Sequence, residues 1–289
     1  MPQTDKDQTM DTRNNVLLLF SKLPEPGLVK TRLTTLKDGI FTPEAASVLY
    51  HCMLFDVVET CMAAFDILGS EANGPIHDEY RLVISTAPAK NLDAMRALFE
   101  DAGTWPRPIG YIFDEGTTFD EHYNDAFAKA WEAGADCILS MGADMPALTT
   151  EDVVNGFRAL HRLDASHTPG IVLAPDQELG VSIIGWNKDT AFSHEGVLYN
   201  SSGLTVLPAY IRKAKDAGLA AVYLPPVPDV DTMADLAHAA TVVEAISYCA
   251  DSSGTPKAKP YRTAKALDEM GWSDIRIMPN GLMDPRSHI

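Results

Sequence analysis

The chain has 289 residues, 46% of them apolar and 22% charged, with a formal net charge of −17. That length suits one large domain or two small ones around a real core. The charge excludes a general nucleic-acid binder, which shows a basic footprint, and an acidic membrane surface as partner; it leaves room for a small anionic ligand held by local cations, and it suits a divalent metal.

Residues 1–14 are polar, lack the apolar centre of a signal peptide and are expected to be disordered. No run approaches the roughly 18 apolar residues of a membrane span, so a soluble, cytoplasmic protein is expected. Short apolar runs then alternate with helical patterns. Strands are expected at 16–20, 82–85, 109–113, 137–141, 171–174, 181–186 and 221–224. They are continuous and rich in Val, Ile and Leu, as strands buried on both faces are. Helices are expected at 43–65, capped by Thr42 with Pro43 in the first turn, and at 92–100, 119–131, 150–162, 204–217 and 232–247. The third carries Phe119, Tyr123, Ala126, Phe127, Ala130 and Trp131 on one face. Such alternation predicts an α/β sheet with helices on both faces. The domain is expected to span 15–247. Residues 248–289, opening on the linker-like DSSGTPKAKP (251–260), form a C-terminal extension packed on the domain or on a second subunit of a homodimer. Cys52, Cys61, Cys137 and Cys249 are widely spaced, with no CxxC, and read as free thiols.

In open α/β sheets ligands bind beyond the carboxyl ends of the strands. At the end of the first strand stands KLPEPGLVKTRL (22–33). Gly27 permits close backbone approach and Pro24 and Pro26 stiffen the loop. Lys22, Lys30 and Arg32 can neutralise a di- or triphosphate, Arg32 through a bidentate fork. Composition alone does not separate this from a solvated basic loop. Neither a Walker A loop nor GxGxxG is present. In CILSMGADMPALT (137–149), Asp144 follows a buried strand, where a carboxylate can hold a hard cation against phosphate oxygens, or serve the turn. In PPVPDVDTMADL (225–236), Asp229 and Asp231 alternate along an extended segment ahead of Thr232 and Asp235. Asp231 can complete a metal site or simply cap a helix. Asp176 and Glu178, between two strands, suit a substrate hydroxyl, a second metal or an ordinary loop. Asp120, Glu121, His122 and Asn124 cluster at a helix start, where the helix dipole already favours acids. HExxH and GxSxG are both absent.

In order and spacing, FSKLPEPGLVKTRL, SMGADMPALT, APDQELGVSIIGW and VPDVDTMADL resemble a bacterial nucleotide-diphospho-sugar transferase-like family. That family, a domain of unknown function, is akin to molybdenum-cofactor guanylyltransferase and 2-phospholactate guanylyltransferase. The resemblance covers roughly residues 15–245. It implies a glycosyltransferase-A-type fold, a three-layer α/β/α sandwich around a mostly parallel mixed sheet. It implies that Lys22, Pro24, Gly27, Lys30, Thr31 and Arg32 form the nucleotide and phosphate loop, and that Asp144 and Asp231 hold Mg2+ or Mn2+. Lys30, Arg32 and Asp144 would then be catalytic. Family members commonly carry DGG, an aromatic pair and IG in the fourth motif. Here QELGVSIIG keeps the Ile-Gly and loses the double glycine, so binding near 178–182 departs from the pattern. The expectation is a metal-dependent glycosyl- or nucleotidyltransferase using a nucleotide or nucleotide sugar and a small acceptor. The alternative is a non-catalytic nucleotide-binding protein on the same fold.

Overall fold

A computed structural model describes residues 11–37, 39–71, 75–253 and 258–272. Among them seven strands form one sheet: β1 (Asp11–Phe20), β2 (Ile76–Thr86), β3 (Ile109–Phe113), β4 (Cys137–Gly142), β5 (Gly170–Pro175), β6 (Val181–Asn187) and β7 (Ala220–Tyr223). Their order is β3-β2-β1-β4-β6-β5-β7. β6 runs antiparallel to β4 and β5; all other neighbours are parallel.

Alternate side chains of β1 enter two cores. Leu17 and Leu19 pack with α1 (Pro43–Gly69), α2 (Leu92–Asp101), α4 (Thr150–Ala165), α6 (Met233–Ser253) and α7 (Tyr261–Glu269). Val16 and Leu18 face the opposite core, with α3 (Phe119–Glu132) and α5 (Val206–Asp216). The result is the expected three-layer α/β/α sandwich. Burial on both faces explains why these strands read as unbroken apolar runs. Side-chain caps set the helix starts: Thr42 accepts from the Ala45 N–H, and Thr118–Glu121 and Thr149–Asp152 close capping boxes.

Three expected boundaries move furthest, the first being β2, which begins at Ile76 and not at 82. β1 begins at Asp11, so residues 11–14 are strand and not disordered; residues 1–10 lie outside the described residues. Polar as they are, Arg13 and Asn15 are buried, bonded to Asp78 of β2. The expected helix end at 247 falls within α6, which continues through the first residues of the expected linker to Ser253. Within the C-terminal extension, 254–257 and 273–289 lie outside the described residues. All four cysteines are free thiols. Among the described residues no helix is long and apolar enough to cross a membrane.

Candidate nucleotide and metal site

Phe20, the last residue of β1, pairs with Ser85 of β2 on one side and Gly142 of β4 on the other. At this edge opens a cavity of about 670 Å³, within the size range of small-molecule sites. Lys22, Lys30, Thr31 and Arg32 line it from the first loop, Asp144 from beyond β4, Ser182 from β6, and Asp229 and Asp231 from the segment before α6. These groups come from separate stretches of the chain, and the sheet register brings them together.

The loop is built by local rules. Leu28 N–H donates to the Glu25 carbonyl, closing a turn with Pro26 and Gly27 at its centre and Gly27 at φ +79. Proline followed by a residue of positive φ is the type II pattern. Gly27 therefore meets the φ requirement of the turn, and neither Gly27 nor Pro24 is among the cavity-lining residues. Lys30 then adopts a left-handed conformation, φ 46 and ψ 38, and a 3-10 turn, Thr31–Leu33, follows. A lysine there is strained, and such strain collects at functional sites.

That backbone aims the Lys30 ammonium inward. Its Nζ lies 2.5 Å from Asp144 Oδ2 and 3.1 Å from Asp231 Oδ1, with its side chain only 6% exposed. Burial pulls the ammonium pKa down, but Asp144 and Asp231 outweigh it and hold it above the ordinary lysine value. Arg32, more than half exposed, donates to the other Asp231 oxygen at 3.1 Å. Lys22 is exposed on the rim, its backbone N–H donating to the Tyr50 hydroxyl at 3.2 Å. Tyr50 is buried, pushed up to about 12 and so a neutral phenol; it shares a 3.0 Å hydrogen bond with Ser21.

The late acidic segment is stitched in place. Val230 N–H donates to the Asp144 carbonyl, Val227 N–H to the Pro175 carbonyl, and Ser182 Oγ to the Val227 carbonyl. Gln177 bonds Asp229 through both backbone and side chain and reaches Asp235. Asp235 accepts from Thr232 at the start of α6, a capping role. Burial, then the charges of Asp144, Asp231 and Asp176, push the Asp229 carboxyl up to about 7, against a hydrogen bond from Gln177. Asp144 and Asp231 thus pair directly with Lys30 and Arg32, while Asp229 lies beside them and is held towards its protonated form.

The Lys30 ammonium lies between Asp144 and Asp231, so these carboxylates are open to a hard divalent cation only once it moves. Among the described residues no group of three or more His, Cys, Asp or Glu side chains forms a complete cage. Mg2+ characteristically takes one or two carboxylates and completes its shell with water and substrate phosphates; with Lys30 displaced, Asp144 and Asp231 would supply such a pair.

Other candidates separate. Asp176 accepts from the backbone N–H groups of Glu178 and Gly180, an Asx turn so tight that a Cβ at Gly180 would lie 1.9 Å from Asp176 Oδ2. Neither Asp176 nor Glu178 lines the cavity. Asp120 accepts from Gly196 and Leu198 N–H, Glu121 closes its capping box, and Asn124 accepts from His194 N–H. Only His122 of that cluster enters the cavity, its Nδ1 2.6 Å from Asp114 Oδ1, while Ser85 Oγ donates to Asp114 Oδ2 at 2.6 Å. The hydrogen bond to Asp114 orients the His122 ring and leaves its Nε2 facing away from that carboxylate. Sequence reading passed over Tyr50, Ser85, Asp114 and Gln177. The signal that could have found Ser85 and Asp114 is their place at the carboxyl ends of β2 and β3.

Residues 76–201 match a family described as "uncharacterized protein conserved in bacteria (DUF2064)". None of the curated proteins compared matches the chain. Among solved structures, a proposed nucleotide-diphospho-sugar transferase from Desulfovibrio desulfuricans G20 superposes with a TM-score of 0.64 at 22% identity, over 90% of this chain and 97% of that one. A CMP:2-keto-3-deoxy-manno-octonic acid synthetase complexed with CTP gives 0.46 at 12% identity, over 80% of this chain and 99% of its own. A 4-diphosphocytidyl-2C-methyl-D-erythritol synthase from Anaerococcus prevotii DSM 20548 gives 0.45 at 12%, over 81% and 96%. The middle of this chain thus matches the DUF2064 family, and nine-tenths of it shares the fold of the proposed nucleotide-diphospho-sugar transferase from Desulfovibrio desulfuricans G20.

Proposed function

We propose that the cavity binds a nucleotide or nucleotide sugar and that the protein is a metal-dependent transferase acting on it. The observation that carries this is the convergence of Lys30, Arg32, Asp144 and Asp231, from three separate loops, on one wall of one cavity. Lys22, Lys30 and Arg32 bind the diphosphate and oppose the charge that builds on the leaving group. Asp144 and Asp231 would hold Mg2+ or Mn2+, which when bound supplies further neutralisation of phosphate oxygens. Catalysis of this kind is positioning and electrostatics, with no covalent protein intermediate. His122, oriented by Asp114, accepts a proton or hydrogen bond from a hydroxyl of the bound ligand. The free thiols fit a cytoplasmic setting.

A specific observation favours a second reading. The Lys30 ammonium already bridges Asp144 and Asp231. If it stays there when ligand binds, the protein binds nucleotide without metal and without turnover.

Thermal unfolding with GTP, CTP or UDP-glucose, each with and without Mg2+, separates the two. A ligand raises Tm by mass action, about 2.7 kcal/mol at a hundredfold excess over Kd. The transferase reading expects a stabilisation that needs Mg2+, is lost in Asp144→Ala, and is accompanied by release of pyrophosphate or nucleoside diphosphate. Metal-indifferent stabilisation without release supports the binding protein; no response to any of these ligands refutes both.

A further inference from the structure

We infer that the C-terminal segment 258–272 holds the basic loop in shape, with Trp272 as a positioning residue for Lys30 and Arg32. The inference concerns the loop's conformation and stands whether or not its ligand is a nucleotide.

The segment is fastened at its start. Asp56 sits in the middle of apolar α1, 2% exposed, and plays no part in the cavity. Its oxygens accept the Arg262 and Thr263 backbone N–H groups at 3.2 and 2.7 Å, so it caps the amino end of α7 from a different helix. The Arg262 guanidinium pairs with Glu59 at 2.7 Å and reaches Asp56 at 3.4 Å. An acid buried this deeply needs such partners, and α7 supplies them.

Past α7 the chain delivers Trp272, 5% exposed, against Phe41, with ring centroids 5.9 Å apart. Phe41 belongs to the return limb of the basic loop. Its N–H donates to the Leu33 carbonyl at 3.0 Å, and its carbonyl accepts from Thr35 at 2.9 Å. Beside it, a Cβ at Gly39 would meet the Leu33 carbonyl carbon at 2.0 Å, so the return limb presses directly on the turn. Leu33, fully buried, donates its N–H to the Lys30 carbonyl at 2.9 Å. The line of contact runs Trp272, Phe41, Leu33, Lys30. At its end stands a left-handed lysine, a conformation that persists only where its surroundings over-determine it.

Amide hydrogen exchange on the full chain tests this. Trp272→Ala is expected to speed exchange at Leu33, Thr34 and Phe41 by about tenfold or more, as a local opening does, while Leu139 and Ile184 in the sheet keep parent rates. Trp272→Phe restores most of the protection. Phe41→Leu, acting from the loop side, reproduces the loss without touching α7. Leu267→Ala removes a comparably buried side chain from α7 and is expected to leave the loop protected. Unchanged protection at Leu33 and Phe41 in Trp272→Ala, or equal loss in Leu267→Ala, overturns the inference. So does uniform acceleration across the chain. In Trp272→Ala and Phe41→Leu the affinity for GTP with Mg2+ is expected to fall about fivefold and any kcat to fall with it, and Trp272→Phe to recover most of both. If the parent binds no nucleotide, the proposed function fails, and the exchange data still decide the role of the tail.

Discussion

Replacing Asp229 by Asn is expected to stabilise the ligand-free protein, and to do so only where the carboxyl would otherwise ionise. The folded value of about 7 lies above the ordinary 3.8. For an acid raised in this way, the protonated form contributes stability that is complete below about pH 4. That stability is lost as pH rises towards 7, because the unfolded chain gives up its proton first. Three pH units at about 1.4 kcal/mol each set a ceiling near 4 kcal/mol. Asp229 is partly exposed, so solvent screening cuts this to roughly 2 kcal/mol. Asn keeps the Gln177 contact, because its Oδ1 still accepts from Nε2. Urea denaturation of parent and Asp229→Asn from pH 4 to 8.5, in chelator and without nucleotide, should show curves that nearly meet at pH 4 and part by about 2 kcal/mol at pH 8. Millimolar Mg2+ should narrow the gap, since a bound cation relieves the same repulsion. A gap of constant size across this range, or a parent that is the more stable at pH 8, would mean that Asp144, Asp229 and Asp231 do not share one field.

Two further outcomes follow from side chains at the opposite ends of the sheet. Arg13→Ala removes the guanidinium 2.6 Å from Asp78, which keeps Asn15 and His161 beside it, and should cost about 1.5–3 kcal/mol in chemical denaturation; a loss under 1 kcal/mol would assign the pair no structural weight. His122→Ala, in the cavity wall, should shrink the Tm rise produced by GTP with Mg2+ while leaving the helix cap of Thr118 and Glu121 intact; an unchanged Tm rise removes His122 from the ligand's surroundings.

The sheet was legible because its strands are buried twice over. Cys137–Gly142 offers no polar side chain but Ser140, and its bounds follow from hydropathy alone. The first halves of β1 and β2 were not legible for the opposite reason. Asp11–Asn15 reads as a solvated tail because its buried members, Arg13 and Asn15, are satisfied by Asp78 and Asp164, residues 63 and more positions away. Local pattern carries no information about a partner at that separation. The extent of α6 failed differently: its last turns, to Ser253, are largely exposed and include Asp251, Ser252 and Ser253, so nothing in the pattern distinguishes helix from linker.

In the site, residue types were legible and their mutual compensation was not. A basic loop after the first strand and acids after two later ones point to phosphate and metal. They do not disclose that Lys30 leaves the loop surface and lies between Asp144 and Asp231. That depends on one left-handed residue, on the Leu33–Phe41 contacts that hold the turn, and on the Val230–Asp144 hydrogen bond that brings the third loop alongside. The consequence is electrostatic. With Lys30 seated on the carboxylates, the site is neither a free anion hole nor a free cation cage. A bound phosphate would compete with Asp144 and Asp231 for the ammonium, and release of the ammonium would leave those carboxylates open to a cation. Anion and divalent cation should therefore help one another onto the protein, a coupling that is reciprocal by necessity. A site assembled from a lone basic loop or a lone acidic pair would show no such dependence.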